Sequence, residues 1–295
     1  MKKEPIFRGA ATALITPMTE QGVDYESLGR LIDWQIDQGI DALVIVGTTG
    51  EKSTLKNDEH LEVVRYASER AAHRVPIIAG TGSNDTDHAI MMSREACALG
   101  ADALLVVTPY YNKATQNGLI TMYTAIADAA EKPLIIYNVP SRTGVGIEPE
   151  TYAALADHPN IYGIKEANSD IAKIVKTAAL VGDRLALYSG NDDQIVPILA
   201  MGGLGVISVL SNLMPKQTSE LCHRFLDGDV EGSREMQCRF LPLINALFSE
   251  VNPIPVKAAM AAMGFCENYL RLPLTPMEDA HWQTLRALMQ EQGLL

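Results

Sequence analysis

The stretch ADALLVVTP, residues 101–109, sets five apolar residues in a row, Ala103 to Val107, between Gly100 and Pro109. A strand with one face in water alternates apolar and polar side chains. An unbroken run bounded by glycine and proline reads instead as a strand buried on both faces, in a parallel sheet covered by helices. Seven more runs share the pattern: ATALIT (11–16), DALVIVG (41–47), VPIIAG (75–80), PLIIYNVP (133–140), NIYGIKE (160–166), LALYSG (185–190) and GVISVL (205–210). Between them lie YESLGRLIDWQIDQG (25–39), DEHLEVVRYASERAA (58–72) and SREACALG (93–100), with apolar positions three or four apart, as in amphipathic helices. Strand and helix alternate about eight times with short loops, which favours a closed (β/α)₈ barrel over residues 1–227 rather than an open doubly wound sheet. From about residue 214 the period is helical throughout, including GDVEGSREMQCRFLPLINALFSE (228–250) and MEDAHWQTLRALMQEQGLL (277–295). A helical C-terminal domain over 228–295 is therefore expected.

Composition narrows the function. The 295 residues are 47% apolar and 20% charged, enough for a large core, with a net charge of −12. Such a surface repels phosphate backbones and anionic membranes, so neither nucleic acid nor a membrane is an expected partner. The N-terminal MKKEPIFRGA has two lysines but no apolar segment behind them, and no run of 18 apolar residues occurs, so a soluble, cytoplasmic protein is expected. Cys97, Cys222, Cys238 and Cys266 form no C-x-x-C pair, and the six histidines form no H-E-x-x-H, so no metal is expected. GTTGEKST (47–54) misses the phosphate-loop frame because Gly47 and Gly50 are only three apart. AGTGSND (79–85) has Asp85 where the dinucleotide fingerprint needs glycine.

In a (β/α)₈ barrel the C-terminal ends of the strands converge on one site. Here those ends carry Gly47-Thr48-Thr49-Gly50-Glu51, Gly80-Thr81-Gly82, Tyr110-Tyr111, Tyr137 to Gly144, Lys165-Glu166, Ser189-Gly190 and Ile207-Ser208. A lone strand-end lysine ordinarily snorkels its ammonium to water. Inside a barrel mouth, desolvation instead lowers its pKa toward neutrality, and a neutral amine attacks carbonyl carbon to give a Schiff base. Lys165 is the candidate. Tyr137, at the end of the preceding strand, is placed to move protons, unless it is a core tyrosine. Thr48 and Thr49 offer hydroxyls and backbone N–H groups to a carboxylate, although such a turn also suits simple helix capping. Arg142 presents a planar fork to a second carboxylate, or else lies on the surface. Tyr110 and Tyr111, in isolation, read as packing aromatics. Together these residues point to imine chemistry on a 2-oxo acid with a second, anionic substrate.

The set GTTGE (47–51), AGTGSN (79–84), TPYYNK (108–113), YNVPSRTG (137–144), GIKEA (163–167), GVISV (205–209), NPIPVK (252–257) and RLPLTP (271–276) closely resembles the dihydrodipicolinate synthase family, in order over nearly the whole chain. The resemblance implies a (β/α)₈ barrel with a C-terminal helical domain and a cofactor-free, lysine-dependent class I aldolase of the diaminopimelate and lysine pathway. By that resemblance Lys165 forms the imine with pyruvate, whose carboxylate sits on Thr48 and Thr49. Thr48, Tyr137 and Tyr111 form a proton relay, with Tyr111 reaching into the neighbouring subunit of a tight dimer. Arg142 holds the carboxylate of L-aspartate 4-semialdehyde, Gly190 and Ile207 line the site, and the assembly is a homotetramer of two tight dimers.

Feedback-regulated members bind lysine in a cleft at the tight-dimer interface, and His60, Asn84 and Tyr110 fall at matching positions. Lys52 and Ser53 stand where small residues are usual, and His88 where sensitive members carry glutamate. Losing a carboxylate and gaining an ammonium weakens attraction for a cation, so the cleft is expected to be vestigial and lysine inhibition weak or absent. N-acetylneuraminate lyase and 2-keto-3-deoxy sugar acid aldolases share the imine lysine and its tyrosine, but resemble this chain less around Tyr111 and Arg142. A non-catalytic relative is disfavoured by the presence of the whole residue set.

Overall fold

The computed structural model describes residues 3–295, so Met1 and Lys2 of MKKEPIFRGA, and of the barrel domain expected from residue 1, lie outside the described residues. β1 (Gly9–Ala13) leads into a small antiparallel hairpin of β2 (Met18–Thr19) and β3 (Gly22–Val23). β4 (Ala42–Ile45), β5 (Ile77–Gly80), β6 (Ala103–Val107) and β7 (Leu134–Asn138) follow. β8 (Ile161–Glu166), β9 (Ala186–Ser189) and β10 (Gly205–Ser208) complete the set. The eight strands outside the hairpin pair in parallel and close into a barrel, with β1 joined to both β4 and β10. The barrel expected from the sequence is the fold observed.

The helices alternate with these strands as α1 (Tyr25–Asp37), α2 (Asn57–Ala71), α3 (Thr86–Ala98), α4 (Gln116–Ala129), the one-turn α5 (Pro140–Thr143) and α6 (Pro149–Leu155). Then come α7 (Ile171–Val181), α8 (Ile195–Ala200) and α9 (Pro215–Leu226), followed by α10 (Val230–Ala246), α11 (Ile254–Ala262) and α12 (Asp279–Glu291) with no further strand between them. Local chemistry starts them. Asp24, Thr115, Asp170 and Asp229 each accept a hydrogen bond from the backbone N–H three residues on, and prolines open α5, α6 and α9. α3 begins seven residues before SREACALG, because Asp85 caps it by accepting from Asp87 N (3.0 Å) and His88 N (3.3 Å).

The opening stretch shows how the side chains divide. Leu104 and Val106 face the helices, while Ala103 and Leu105 face the barrel interior with Ala11, Val44, Ile78 and Ile135. Phe7 closes the bottom of this interior, its ring stacked on Tyr188 at 4.3 Å, and the Tyr188 hydroxyl donates to Phe7 O at 2.8 Å. ATALIT forms its ladder two residues earlier than its apolar run suggests. The small residues Gly9 and Ala10 pair with β10, whereas Ile15 N donates out of the ladder to the Asn212 side chain at 3.1 Å. Among the described residues no helix is long and apolar enough to cross a membrane.

Candidate active site

The period-two division decides what happens to Lys165 and Glu166. On β8, Ile164 joins the outer core, so Lys165 turns inward, directly across from Tyr137 of β7. Glu166 turns outward and is buried, accepting from Asn138 Nδ2 (2.8 Å), Tyr152 OH (2.9 Å) and Asn168 N (3.0 Å). Lys165 is 6% exposed, and its Nζ stands 4.3 Å from the centroid of the Tyr137 ring. The amine thus meets the face of the phenol ring. Burial lowers the Lys165 pKa to about 7; the Asp192 carboxylate opposes this and the Arg142 guanidinium adds to it. Burial pushes the Tyr137 phenol up, against the pull of Arg142 and a hydrogen bond with Thr48.

The turn after β4 is held in an unusual shape. Val46 (φ +50°) and Glu51 (φ +55°) are both left-handed, a conformation that costs a non-glycine residue on the order of 1–3 kcal/mol. Gly80 on the next strand makes room for it, since a Cβ there would lie 2.5 Å from Val46 O. Thr16 Oγ1 donates to Gly50 O at 2.8 Å, and Asn252 Nδ2 donates to Thr49 Oγ1 at 3.0 Å. Among the described residues no backbone carbonyl accepts from the N–H of Thr48 or Thr49, which leaves both donors for an anion.

A cavity of about 190 Å³ unites Thr48, Thr49, Tyr137, Arg142, Lys165 and Gly190. Gly190 has no substitute at its place, since a Cβ would lie 2.7 Å from that of Ala167 and 3.0 Å from Glu166 O. Arg142 is exposed on the one-turn α5, and its Nη2 donates to Asn252 O at 3.1 Å. A larger cavity of about 600 Å³ adjoins the first, shares Ser141, Ala167, Asn191 and Phe248 with it, and spreads over the loops after β7, β8 and β9.

Two expected residues stand apart. Ile207 is buried in the barrel interior and does not line the cavity, which Val209, two residues on, does. Tyr111 has φ +69°, is 92% exposed and does not line the cavity of its own site. The sequence reading gave no role to Asn252, Phe248 or Asp192. Asn252 opens NPIPVK, so a signal was present, but nothing in that motif says that it reaches the barrel mouth. Asp192 is buried, and one of its oxygens accepts from Val209 N and Leu210 N, both at 2.9 Å.

Of the residues of the expected effector cleft, Lys52 and His88 lie close enough to His60 for their charges to act on it. Lys52 donates to Gly82 O, and burial lowers its pKa to about 8. It also lines the 190 Å³ cavity. His60 is buried on α2 with Nε2 unpartnered. Burial, with the charges of Lys52 and His88, lowers its pKa to about 4 against one backbone bond at Gly80. Ser53 is exposed and His88 half-buried, while Asn84 Nδ2 donates to Tyr110 O at 3.2 Å.

Glu250, Glu278 and His281 bring their side-chain ligand atoms within 4.8 Å of one another. Glu250 there accepts from Glu278 N (2.9 Å) and meets His281 Nδ1 (2.8 Å), an arrangement that closes the first turn of α12.

A family model described as the dihydrodipicolinate synthetase family matches residues 6–292. A 4-hydroxy-tetrahydrodipicolinate synthase from Lachnoclostridium phytofermentans is 54% identical over 292 residues, 98% of this chain and 99% of the relative. The crystal structure of a dihydrodipicolinate synthase from Thermotoga maritima matches with a TM-score of 0.96 at 46% identity, covering 98% of this chain and 100% of that one. That of the chloride-inhibited dihydrodipicolinate synthase from Acinetobacter baumannii, complexed with pyruvate, matches with a TM-score of 0.95 at 44% identity over 98% of this chain and 99% of that one.

Proposed function

The chain belongs to the dihydrodipicolinate synthetase family, and on that premise we propose that it condenses pyruvate with L-aspartate 4-semialdehyde, giving 4-hydroxy-tetrahydrodipicolinate for diaminopimelate and lysine synthesis. The observation that carries this is the buried Lys165 amine, facing a cavity whose other walls offer donors for carboxylates. The neutral amine adds to the pyruvate carbonyl, and a proton delivered by the relay lets the adduct's hydroxyl leave as water, giving a protonated imine. That imine acidifies the methyl group. Proton loss gives an enamine, which attacks the aldehyde carbon of the second substrate. The amine of the adduct then closes onto the imine carbon and releases Lys165. Lys165 is the electron sink, so this scheme calls for no cofactor and no metal.

Thr48 and Thr49 hold the pyruvate carboxylate, Arg142 the carboxylate of the semialdehyde, and Thr48, Tyr137 and Tyr111 carry the protons. Gly190 and Ile207 shape the site, Ile207 from beneath the cavity. Tyr111 would serve a neighbouring subunit, in a cytoplasmic homotetramer of two tight dimers. Its exposure supports this, as do Ile171 and Val175, both 44% exposed one turn apart on α7.

Turnover of pyruvate and the semialdehyde, coupled to a dipicolinate reductase and followed as NADPH loss, tests the reading. Folded protein that traps pyruvate but shows no turnover would belong to the sugar-acid aldolases instead. In the same assay millimolar L-lysine is expected to leave the rate within about twofold, because Lys52 repels a cation from the cleft. Inhibition below one millimolar would show a working effector site.

The Lys165 pKa of about 7 also sets a pH profile. Below it the amine is protonated, so borohydride-trapped pyruvate adduct should form about tenfold more slowly per pH unit and level off above about 7. A rate still climbing toward pH 10 would mean an ordinary solvated lysine.

A further inference from the structure

The turn carrying Thr48 and Thr49 is braced from outside the barrel. Glu51, which ends that turn, forms a buried ion pair with Lys257 of α11, their side chains 1% and 0% exposed. The other Glu51 oxygen accepts from Arg271 N at 3.2 Å, and Arg271 in turn holds Glu59 of α2 at 2.6 Å. Asn252, two residues before α11, reaches both anion sites: its side chain donates to Thr49 Oγ1 and its carbonyl accepts from Arg142. NPIPVK and RLPLTP, which are remote in sequence from every catalytic residue, supply all of these contacts.

We propose that Asn252, Lys257 and Glu51 are positioning residues that set the turn on which the 2-oxo acid carboxylate binds, an inference that rests on the Schiff-base reading above. A buried ion pair is a poor source of net stability, since desolvation offsets most of the attraction and apolar groups of similar size often do as well. What it does supply is a fixed point. The turn contains two left-handed non-glycine residues, and a strained turn needs its surroundings to hold it in that shape. Lys257 holds the Glu51 end, while Asn252 holds the Thr49 hydroxyl. The two donors left free at Thr48 and Thr49 then meet a carboxylate without rearrangement.

Lys257→Met alone leaves Glu51 buried and unpaired, and is expected to lose stability. The deciding variant is therefore Glu51→Gln with Lys257→Met, which removes both charges, keeps the volume and lets Gln accept from Arg271 N. It should melt near the parent and still form the borohydride-trapped adduct. The pyruvate concentration for half saturation should rise about tenfold or more, while the rate at saturation changes little. Asn252→Ala, which keeps the backbone carbonyl on Arg142, should raise the half-saturating pyruvate in the same way and leave that of the semialdehyde unchanged. Parent-like half saturation for pyruvate in the double variant overturns the proposal, and if the double variant fails to fold, the same result in Asn252→Ala does so. Parent protein that gains no pyruvate mass at all defeats the Schiff-base reading instead.

Discussion

Lys165→Ala protein, incubated with pyruvate and borohydride, should gain no mass, and its turnover should fall by at least about 10⁴-fold, the scale on which a removed nucleophile is felt. The same change should leave the fold intact and, at neutral pH, firmer. Burial holds the folded-state pKa of Lys165 near 7, below the 10.5 expected of a solvated lysine. Between those values the unfolded chain binds the extra proton, so this group's contribution to stability rises with pH and is least favourable below about 7. Replacing the amine removes that slope. A thermal midpoint at pH 7 at or above the parent's, with activity gone, is the expected pair of results. A variant that keeps trapping pyruvate would move the imine to another lysine, and Lys52, on the wall of the same cavity, would be the first to try.

Arg142→Ala should do the opposite to the first half-reaction. The guanidinium is exposed and rests on a single carbonyl, so its loss should shift stability by no more than about 0.5 kcal/mol. The pyruvate adduct should still form, at the parent's rate well above pH 7 and somewhat more slowly near and below it, since losing a positive charge that lowers the Lys165 pKa leaves more of the amine protonated. Turnover with the semialdehyde should drop by about 10²-fold, the loss of a charge-assisted, two-pronged contact with a carboxylate. Lost trapping with retained affinity for the semialdehyde would reverse the division of labour between Lys165 and Arg142.

What the sequence disclosed follows from how local the signals are. The strands were legible because ALLVV or LIIYN is apolar on both faces, and the helices because Asp and Thr caps precede a 3.6-residue stripe. Lys165 and Tyr137 were legible because each ends such a run, so a barrel places them at one end without further knowledge. Asn252, Lys257 and Arg271 were not. Their partners Thr49, Glu51 and Glu59 lie more than 200 residues away, and no period or spacing encodes a contact over that distance. Lys52 showed the same limit in reverse. It was legible as a misplaced charge in an effector cleft, but not as a wall of the active-site cavity, which only the fold back toward Gly82 creates.

Because β1 pairs with both β4 and β10, the barrel has no outer strand. An open sheet must defend its rims with charge, proline or bulges against the addition of another chain's strand. Among the described residues the only free backbone ladder is the two-residue hairpin of β2 and β3, too short to template anything. Among the described residues, copies of this protein therefore meet through helix and loop surfaces rather than by addition of a strand to the barrel. With −12 net charge spread over that surface, association of this kind should respond to ionic strength, as a surface formed by hydrogen-bonded backbone would not.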